Sequence, residues 1–259
     1  MSKTVVVMTC AHVDPRHSNE RFEWLGKFLY DTRPDEVINL GDFAEMNSLS
    51  SFDSKYPKPA SQRNYEADIK HTHDAHDKMW HQFRKNHRSM PYKAYLQGNH
   101  EFRIDLALQK DPNLSGKQYG LSLEHLGYKE HYDDWVPYQN KGPGLFKRDG
   151  VVYAHFLSSG AWGRAIDGVN HSLRLVEKLG CSVTVGHSHK FNYSVNREAL
   201  PYAKHGLVAG CYIGGQHDWA GQANAEWSHG VVVKNSLTNG TYDVQWVSFD
   251  SLKKAYSNG

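Results

Sequence analysis

Metal-binding side chains follow four short apolar runs that lie far apart in the sequence. The four segments are Cys10-Ala11-His12, Gly41-Asp42, Gly98-Asn99-His100-Glu101 and Gly186-His187-Ser188-His189, and a lone His155 follows a fifth run at 151–154. β-Sheets gather their ligand sites at the carboxyl ends of strands, so these five ends can converge on one cavity. Carboxylate, amide and imidazole groups gathered in this way are what a hydrolase with two metal ions needs.

Each of these residue types has a distinct use beside a pair of cations. Two divalent ions about 3.5 to 4 Å apart can clamp a phosphoryl group and activate a water molecule. Asp42 can bridge such a pair with its two carboxylate oxygens, and Asn99 offers an amide oxygen without further charge. His100, next to Asn99, would point away from the ligands and could donate a proton to the leaving group. Imidazole nitrogen suits iron, nickel or zinc and is tolerated by manganese, and it is available from His12, His155, His187 and His189.

The sequence around these segments predicts alternating strands and helices. Residues 4–9 form a buried strand, a helix spans 19–31 with Asn19 as its cap, and a second strand covers 36–40. A long helix is expected between residues 61 and 88, and a third strand ends at 97. Further along, the sequence predicts a hairpin at 145–154 around Asp149-Gly150, a helix from about 162 to 179 that stops at Gly180, and short strands from 182 onward.

Helices and mixed strands early in the chain, with antiparallel strands late, favour an α/β fold. We predict two face-to-face mixed β-sheets flanked by helices, which is a four-layer α/β/β/α sandwich. No internal repeat, low-complexity segment or long linker divides the sequence, so one domain is expected over residues 1–259.

The composition argues against several classes of protein. Lys and Arg number 30 against 28 Asp and Glu, so the basic footprint of a nucleic-acid-binding protein is missing, although an active-site cleft can still be locally positive. The three cysteines are too few for a disulfide framework and favour a reducing compartment. No apolar stretch approaches the roughly 18 residues that span a membrane, and the first residues show no signal-peptide pattern. We therefore expect a soluble, cytoplasmic protein that does not contact membranes.

Histidine is the one residue type in clear excess, with 17 in the chain. Several lie in the predicted long helix, where His73, His76 and Asp77 could share a face and hold a metal ion. A solvated helix face that happens to use histidine is the simpler interpretation. We therefore assign no metal site to this helix.

The order and spacing of the five segments resemble the calcineurin-like metallophosphoesterase superfamily, whose signature runs D-x-H, G-D, G-N-H-E, H and G-H-x-H. The resemblance covers about residues 5–190, and its most specific parts are the segments 98–101 and 186–189. It is closest to short bacterial and phage-type members with a G-N-H-E-x-R stretch, which here ends at Arg103. The resemblance implies that the later strands belong to the family's second sheet.

The same resemblance implies a site with two divalent metal ions. Manganese, iron, zinc or nickel would serve, with manganese the first choice for assays in vitro. Asp42 would lie between the two ions, and the other ligands would divide into His12 with His189 for the first ion and Asn99, His155 and His187 for the second.

Three further residues match the family near this site. His100 would act as the acid or would orient the phosphoryl oxygens. Arg103 could bind substrate phosphate through its guanidinium group or could form a structural ion pair, and the two alternatives stay equally open. Glu45, which follows the Gly-Asp segment, would orient a metal ligand.

Cys10 departs from the family pattern, which has aspartate at this position. It could bind a metal ion as a thiolate, which would favour zinc or iron over manganese or magnesium. It could instead stay uncoordinated and leave the first metal site weak. As a third alternative, Asp14 could supply the missing carboxylate.

The leading hypothesis is a metal-dependent phosphoesterase that hydrolyses a phosphodiester or phosphomonoester by attack of a metal-bound hydroxide. Because of Cys10, one alternative is a degenerate family member that binds metal or a phosphorylated ligand with weak or no hydrolysis. The expected partner is a phosphorylated small molecule or a nucleotide, and assembly into a homo-oligomer stays open. A nuclease is a further alternative, since a base could stack on the loop aromatics Trp135, Tyr138, Trp162, Trp219 and Trp227.

Overall fold

Two β-sheets pack against each other in the computed structural model, which describes residues 2–50, 63–139, 142–160, 163–197, 203–215 and 217–257. The strands are β1 (Lys3–Met8), β2 (Glu36–Asn39), β3 (Tyr92–Leu96), β4 (Asp134–Val136), β5 (Phe146–Arg148), β6 (Val151–Ala154), β7 (Ser158–Ser159), β8 (Arg164–Ala165), β9 (Ser182–Val185), β10 (Phe191–Asn196), β11 (Lys204–Ala209), β12 (Gly230–Thr238) and β13 (Thr241–Ser248). The helices are α1 (Glu20–Thr32), α2 (Tyr65–Lys85), α3 (Phe102–Lys110), α4 (Tyr128–His131), α5 (His171–Leu179) and α6 (Phe249–Tyr256). Within the described ranges, none of them is long and apolar enough to cross a membrane.

Both sheets are mixed, as predicted. The first has the strand order β13-β12-β1-β2-β3-β4, in which β1 to β4 run parallel and β12 pairs antiparallel with β1. The second has the order β10-β11-β9-β6-β5, in which β6, β9 and β11 are parallel and the outer strands are antiparallel to their neighbours.

Alternate residues of β1 belong to different apolar cores, as expected for a strand with two covered faces. Val5 and Val7 join the cluster between the sheets together with Val151 of β6. Val6 faces the other way and joins the cluster that includes Leu25 of α1. Helix α5 packs on the outer face of the second sheet. These contacts confirm the predicted four-layer sandwich.

Several predicted elements are confirmed. The long helix is α2, and the side chain of Asn64 caps it by accepting a hydrogen bond from the backbone N–H of Ala67. The hairpin of β5 and β6 turns at Asp149 and Gly150, whose φ angles are 48° and 80°. Asn19 does precede α1, but its side-chain amide donates to the His71 carbonyl oxygen on α2 instead of capping α1.

The helix predicted at about 162–179 is shorter than expected. Its predicted first residue lies outside the described residues, and β7 and β8 pair as a small hairpin before α5 begins at His171. Gly163 and Gly168 have φ angles of 62° and 106°, which no right-handed helix accommodates. The apolar periodicity of the segment is therefore interrupted by turns.

The prediction for the later strands is partly wrong. β12 and β13 do not join the second sheet, because β12 pairs with β1, where Val6 lies opposite Val233. The later strands are also not all antiparallel, since β11 pairs parallel with β9. The chain ends its described part in α6, which the sequence did not predict. Its N-terminus is capped by Ser248, whose hydroxyl accepts a hydrogen bond from the Ser251 N–H.

Candidate metal centre

The candidate ligands follow the carboxyl ends of β1, β2, β3, β6 and β9, and the backbone at most of them adopts a left-handed conformation. Non-glycine residues seldom adopt a positive φ, and such residues concentrate at functional sites when the surrounding structure enforces them. In this cluster the φ angles lie between 47° and 66° at Cys10, His12, Asp42, His187 and His189. The fold therefore holds these loops in a conformation that local preference alone would not select.

Two glycines allow the β2 and β3 loops to meet. Gly41 has a φ of 96°, and a Cβ atom added to Gly98 would lie 2.2 Å from both the backbone nitrogen and Oδ1 of Asp42. Any side chain at Gly98 would push Asp42 out of position. The glycines of the two motifs thus serve close approach of the backbones.

Glu101 connects the same two loops through hydrogen bonds to their backbones. Its fully buried carboxylate accepts hydrogen bonds from the backbone N–H groups of Gly98 (2.9 Å), Asp42 (3.1 Å) and Ala44 (2.9 Å). The His100 N–H donates to Asp42 Oδ1 at 2.9 Å. Glu101 lies in a predicted motif but had no predicted role, and its position directly after Gly98-Asn99-His100 was the signal in the sequence.

Around Asp42, hydrogen-bond acceptors face one another. His155 Nδ1 donates to the Leu40 carbonyl oxygen at 2.7 Å, so Nε2 is the ring nitrogen that faces the cluster. That Nε2 atom lies 3.1 Å from Asp42 Oδ2, 3.0 Å from Asn99 Oδ1 and 3.3 Å from His187 Nδ1. Acceptors placed this closely repel one another unless a proton or a cation lies among them.

A second group of ligand atoms lies next to the first. The Nε2 atoms of His12 and His189 are 3.1 Å apart, and His12 Nε2 is 4.0 Å from Asp42 Oδ2. His12 Nδ1 contacts Glu45 Oε2 at 2.5 Å, so Glu45 orients this ring as predicted. The sulfur of Cys10 lies within 4.8 Å of the ligand atoms of both His12 and His189.

The residues at these strand ends fit a pair of divalent cations. Cys10 belongs both to the group with His12 and His189 and to a group with Asp42 and His155, and all these side chains are buried. The donor set combines one carboxylate, one amide oxygen, several imidazoles and one sulfur, which suits transition-metal ions more than magnesium. The predicted ligands, which lie far apart in the sequence, come together in the fold.

Neighbouring histidines stabilise the anionic form of two carboxylates in this buried cluster. Burial would raise the pKa of Asp42, but His155 and His100 hold that pKa well below its usual range. Burial would also raise the pKa of Glu45, but His100 and His12 lower that pKa well below its normal value. Both carboxylates are therefore anionic at neutral pH, as a cation site requires.

The imidazoles of the β9 loop remain neutral. Burial lowers the pKa of His187 to about 4, and burial together with His12 lowers the pKa of His189 well below its usual value. Neutral imidazole is the form that coordinates metal ions.

Cys10 is held in place as a buried thiol. Burial, and then the charge of Asp42, raise the pKa of the thiol well above its normal value. The sulfur accepts a hydrogen bond from the His187 N–H at 3.2 Å and lies 3.1 Å from the Thr9 hydroxyl oxygen. A metal ion would have to displace the thiol proton before sulfur could bind it.

Asp14 does not replace the missing carboxylate. Its two oxygens are bound by the guanidinium group of Arg16, with the closest contact at 2.6 Å, and Oδ1 also accepts the Arg16 backbone N–H at 3.0 Å. The turn after Asp14 thus directs its carboxylate to Arg16. The third alternative for the first metal site is wrong.

His100 lies closer to the ligands than predicted. Its ring packs edge-on against His12 with centroids 4.4 Å apart, and its Nε2 atom is 3.9 Å from Asp42 Oδ2. His100 Nδ1 lies 3.1 Å from the Glu45 carbonyl oxygen, so Nδ1 carries a proton and Nε2 faces the centre. The expectation that this side chain points away from the ligands is wrong, because its backbone N–H is tied to Asp42.

Arg103 is anchored within the protein. Its Nη1 atom donates to the Glu45 carbonyl oxygen at 2.7 Å and lies 3.6 Å from Glu45 Oε1. Its Nη2 atom lies 3.4 Å from His100 Nε2. The structural alternative for Arg103 is therefore present, while the second guanidinium nitrogen lies beside the catalytic candidate His100.

One phenylalanine ring and one further histidine border the centre without having been predicted there. Phe156 lies 4.8 Å from the ring of His187, and His217 lies 5.7 Å from that of His12. Burial lowers the pKa of His217 to about 3. Neither residue belongs to a recognisable motif, so only the folded chain identifies them.

The predicted base-stacking aromatics are dispersed. Trp227 packs edge-on against His189 with centroids 4.4 Å apart. Trp135 instead packs beside Tyr128, and Tyr138 stacks on Phe102 at 4.4 Å. Residue 162 and the side chain of residue 219 lie outside the described part. Trp227 is thus the one predicted aromatic that the described coordinates place against a candidate ligand.

No known protein-family profile matches this sequence, and no curated protein sequence matches it. Solved structures that match the chain include a predicted phosphoesterase from Streptococcus pneumoniae (11% identity, 96% of this chain and 91% of that chain covered, TM-score 0.37) and Vps29 from Chaetomium thermophilum (10%, 94% and 96%, 0.38). The nuclease MPE from Pseudomonas putida is a further match (12%, 93% and 87%, 0.38). At these levels of similarity, only the chain's own residues indicate its function.

The fold and the site can be judged together from those residues. Two mixed sheets with outer helices bring the five motif segments to one buried cluster. This two-sheet arrangement, with one ligand cluster at its strand ends, is the one that the sequence predicted.

Proposed function

We propose that this protein is a metal-dependent phosphoesterase that hydrolyses a phosphodiester or a phosphomonoester at a dinuclear centre. The observation that carries the proposal is the convergence of acceptor atoms on His155 Nε2. A carboxylate oxygen and an amide oxygen each lie within 3.1 Å of this imidazole nitrogen. A binding site for positive charge accounts for this arrangement.

The ligands divide between the two ions as the resemblance implies. When bound, the cations would neutralise phosphoryl charge and lower the pKa of a water molecule. Asp42 reaches both groups, since its Oδ2 atom is 3.1 Å from His155 Nε2 and 4.0 Å from His12 Nε2. Glu45 and the Leu40 carbonyl oxygen fix the orientation of those two imidazoles.

His100 is the candidate proton donor for the leaving group. Burial lowers its pKa, but Glu45 and Asp42 outweigh burial and raise that pKa overall. The Glu45 carbonyl oxygen fixes the ring through Nδ1, and Arg103 lies beside Nε2. His100 thus retains a proton near neutral pH and holds it beside the ligand cluster.

A basic cavity beside the centre supports an anionic substrate. The cavity has a volume of about 350 Å³ and shares Arg103 with the site. Arg63 and Lys110 also line it. A phosphorylated small molecule or a nucleotide would find positive charge there beyond the phosphoryl group that reacts.

The proposal is tested with nitrophenyl phosphodiester and monoester substrates, with an oligonucleotide as a third substrate, over a series of divalent metals. Turnover is expected with manganese, and Asp42→Asn is expected to abolish it. His81→Gln, an exposed histidine on α2, is the matched control and is expected to retain full activity. A folded protein that turns over none of these substrates with any metal would contradict the proposal.

A second candidate is a degenerate family member that binds metal or a phosphorylated ligand with little hydrolysis. The state of Cys10 favours it, because a buried thiol with a raised pKa is a weaker ligand than a carboxylate. Metal content and turnover, each compared between the unmodified protein and Asp42→Asn, separate the two. Metal and turnover that are both lost in Asp42→Asn support the enzyme, and metal lost in Asp42→Asn from a protein without turnover supports the degenerate protein.

A further inference from the structure

A separate group of ligand atoms lies between α2 and α4. His73 belongs to α2, and Glu130 and His131 belong to α4 and its end. Their ligand atoms all lie within 4.8 Å of one another, and none of the three residues contributes to the strand-end centre. Sequence analysis considered a metal site on α2 and rejected it as a solvated face.

The tautomer of His73 is set by its surroundings. Its Nε2 atom lies 2.7 Å from the carbonyl oxygen of His125, which can only accept a hydrogen bond. The proton therefore sits on Nε2, and Nδ1 keeps its lone pair. A backbone carbonyl that holds the far nitrogen of a histidine in this way is the usual partner of a metal-binding imidazole.

A glycine leaves room in front of that lone pair. A Cβ atom added to Gly127 would lie 2.5 Å from Cε1 of His73, 3.2 Å from its Nδ1 and 3.5 Å from Glu130 Oε2. Gly127 itself has a φ of 65° and directs the chain from a short 3-10 helix into α4. The imidazole and the carboxylate thus border the same small space, which a side chain at this position would fill.

Two histidines at this site, the half-buried His131 and the fully buried His76, have ring nitrogens that are short of partners. Within the described part of the chain, His131 Nε2 and both ring nitrogens of His76 lack hydrogen-bond partners. The His131 ring stacks on His76 at 4.4 Å, and His76 stacks on Phe43 at 4.1 Å. His76 is 0% exposed, so the interpretation of this helix face as solvated is wrong at His76, whereas Asp77 is exposed. Buried polar atoms without partners are costly, and a ligand at His131 would remove part of that cost.

We propose that His73, Glu130 and His131 bind a divalent cation of the zinc class. Two imidazoles and one carboxylate form a set that zinc favours, and water can complete a tetrahedron. The ion would connect α4 to α2. The site uses none of the strand-end residues. Its test is therefore independent of the test of the proposed function.

The test counts zinc ions in the full-length protein that carries Asp42→Asn, so that the strand-end centre is already weakened. Zinc is titrated calorimetrically into metal-free protein, with and without Glu130→Gln. One zinc equivalent is expected to disappear or to bind at least about tenfold more weakly in the Glu130→Gln protein. Glu130 is exposed, so its substitution leaves the fold intact.

His73→Gln is the second variant, and His81→Gln on the same helix is the matched control. His73→Gln is expected to lose the same equivalent, whereas His81→Gln is expected to keep it. The zinc-induced rise in melting temperature should be smaller in His73→Gln and unchanged in His81→Gln. With a chelator present, the two variants should have equal melting temperatures. An unchanged count and affinity in both Glu130→Gln and His73→Gln would overturn the proposal. In the protein with an intact Asp42, phosphoesterase activity should be unaffected by Glu130→Gln.

Discussion

The strand-end centre and the pocket around Lys234 are both buried polar regions. The first favours the charged form of its carboxylates, whereas the second disfavours the charged form of its lysine. At the strand ends, Asp42 and Glu45 are surrounded by histidines, and both carboxylates keep a pKa well below normal despite burial. Between the sheets, Lys234 is 0% exposed, and burial lowers the pKa of its ammonium well below its usual value.

The partners explain the difference. The Lys234 Nζ atom lies 2.6 Å from the Thr184 hydroxyl oxygen, 3.3 Å from the Tyr153 hydroxyl oxygen and 4.5 Å from the Tyr242 ring centroid. Hydroxyls and rings give a buried amine hydrogen bonds and polarisability but no opposite charge. Burial alone therefore does not make a charged site in this molecule, and groups of opposite charge must converge.

Removal of the central charge should produce the largest effect. Asp42→Asn keeps the size of the side chain but eliminates the anion that both ligand groups share. Turnover of a nitrophenyl phosphodiester with manganese is expected to fall by about 10³-fold, which corresponds to several kcal/mol of lost charge stabilisation. Metal content measured in parallel should also fall. Activity within about tenfold of the unmodified protein would show that Asp42 is not shared by the ions.

A change one step outward should have a smaller effect. Glu45→Gln leaves the ligands in place but removes the anion that orients His12 and His100. Metal affinity, measured by competition with a chelating dye, is expected to fall by about 10- to 100-fold. Glu66→Gln, which breaks an exposed ion pair with Lys70, is the control and should not alter it. Equal affinities in the two variants would remove Glu45 from the centre.

Cys10→Asp would add an anion to the cluster and so strengthen the contrast with Lys234. Because a carboxylate suits manganese better than a buried thiol does, activity with manganese is expected to rise by about tenfold or more. Cys211→Ala is the matched control, since Cys211 is a buried thiol in the same small apolar cluster and outside the ligand groups. A fall in activity after Cys10→Asp would instead identify cysteine as the adapted ligand.

Lys234→Met tests the uncompensated region. Burial lowers the pKa of Lys234 in the folded protein, so between that lowered pKa and the ordinary value of 10.5 the unfolded chain binds more protons at this lysine. The free energy of unfolding therefore rises with pH over that window. Lys234→Met should therefore stabilise the protein at neutral pH by about 1 to 3 kcal/mol and flatten this pH dependence. Urea unfolding at several pH values measures both. Lys85→Met, the same change on an exposed residue, should do neither, and a destabilised Lys234→Met protein would argue that the amine is charged in the fold.

The sequence predicted the strand ends well because each motif residue follows an apolar run, and sheet geometry brings such ends together. Asp42, His155 and His187 could be placed on this basis before any coordinates. The sequence could not predict the direction of the Asp14 carboxylate, because its hydrogen bonds to Arg16 depend on the conformation of one turn. His100 also came nearer to the ligands than adjacency in sequence suggested.

Strand pairing and helix boundaries were harder to predict. The alternation in β12 is compatible with either sheet, and only the long-range pairing with β1 places it in the first. Periodic apolar residues before His171 suggested a longer helix, but turns at Gly163 and Gly168 outweigh that local preference. His76 looked like one member of a polar face, although the stack with Phe43 buries it.

The candidate ligands come from both layers of the sandwich, with Asp42 and Asn99 after strands of the first sheet and His155 and His187 after strands of the second. An ion coordinated by all of them would restrain the two sheets against sliding apart. Backbone amides of β2 and β6 should then exchange with deuterium more slowly together when metal is supplied, and chelation should release both at once. Metal binding would thus control how cooperatively the two sheets open, as well as the chemistry at their carboxyl ends.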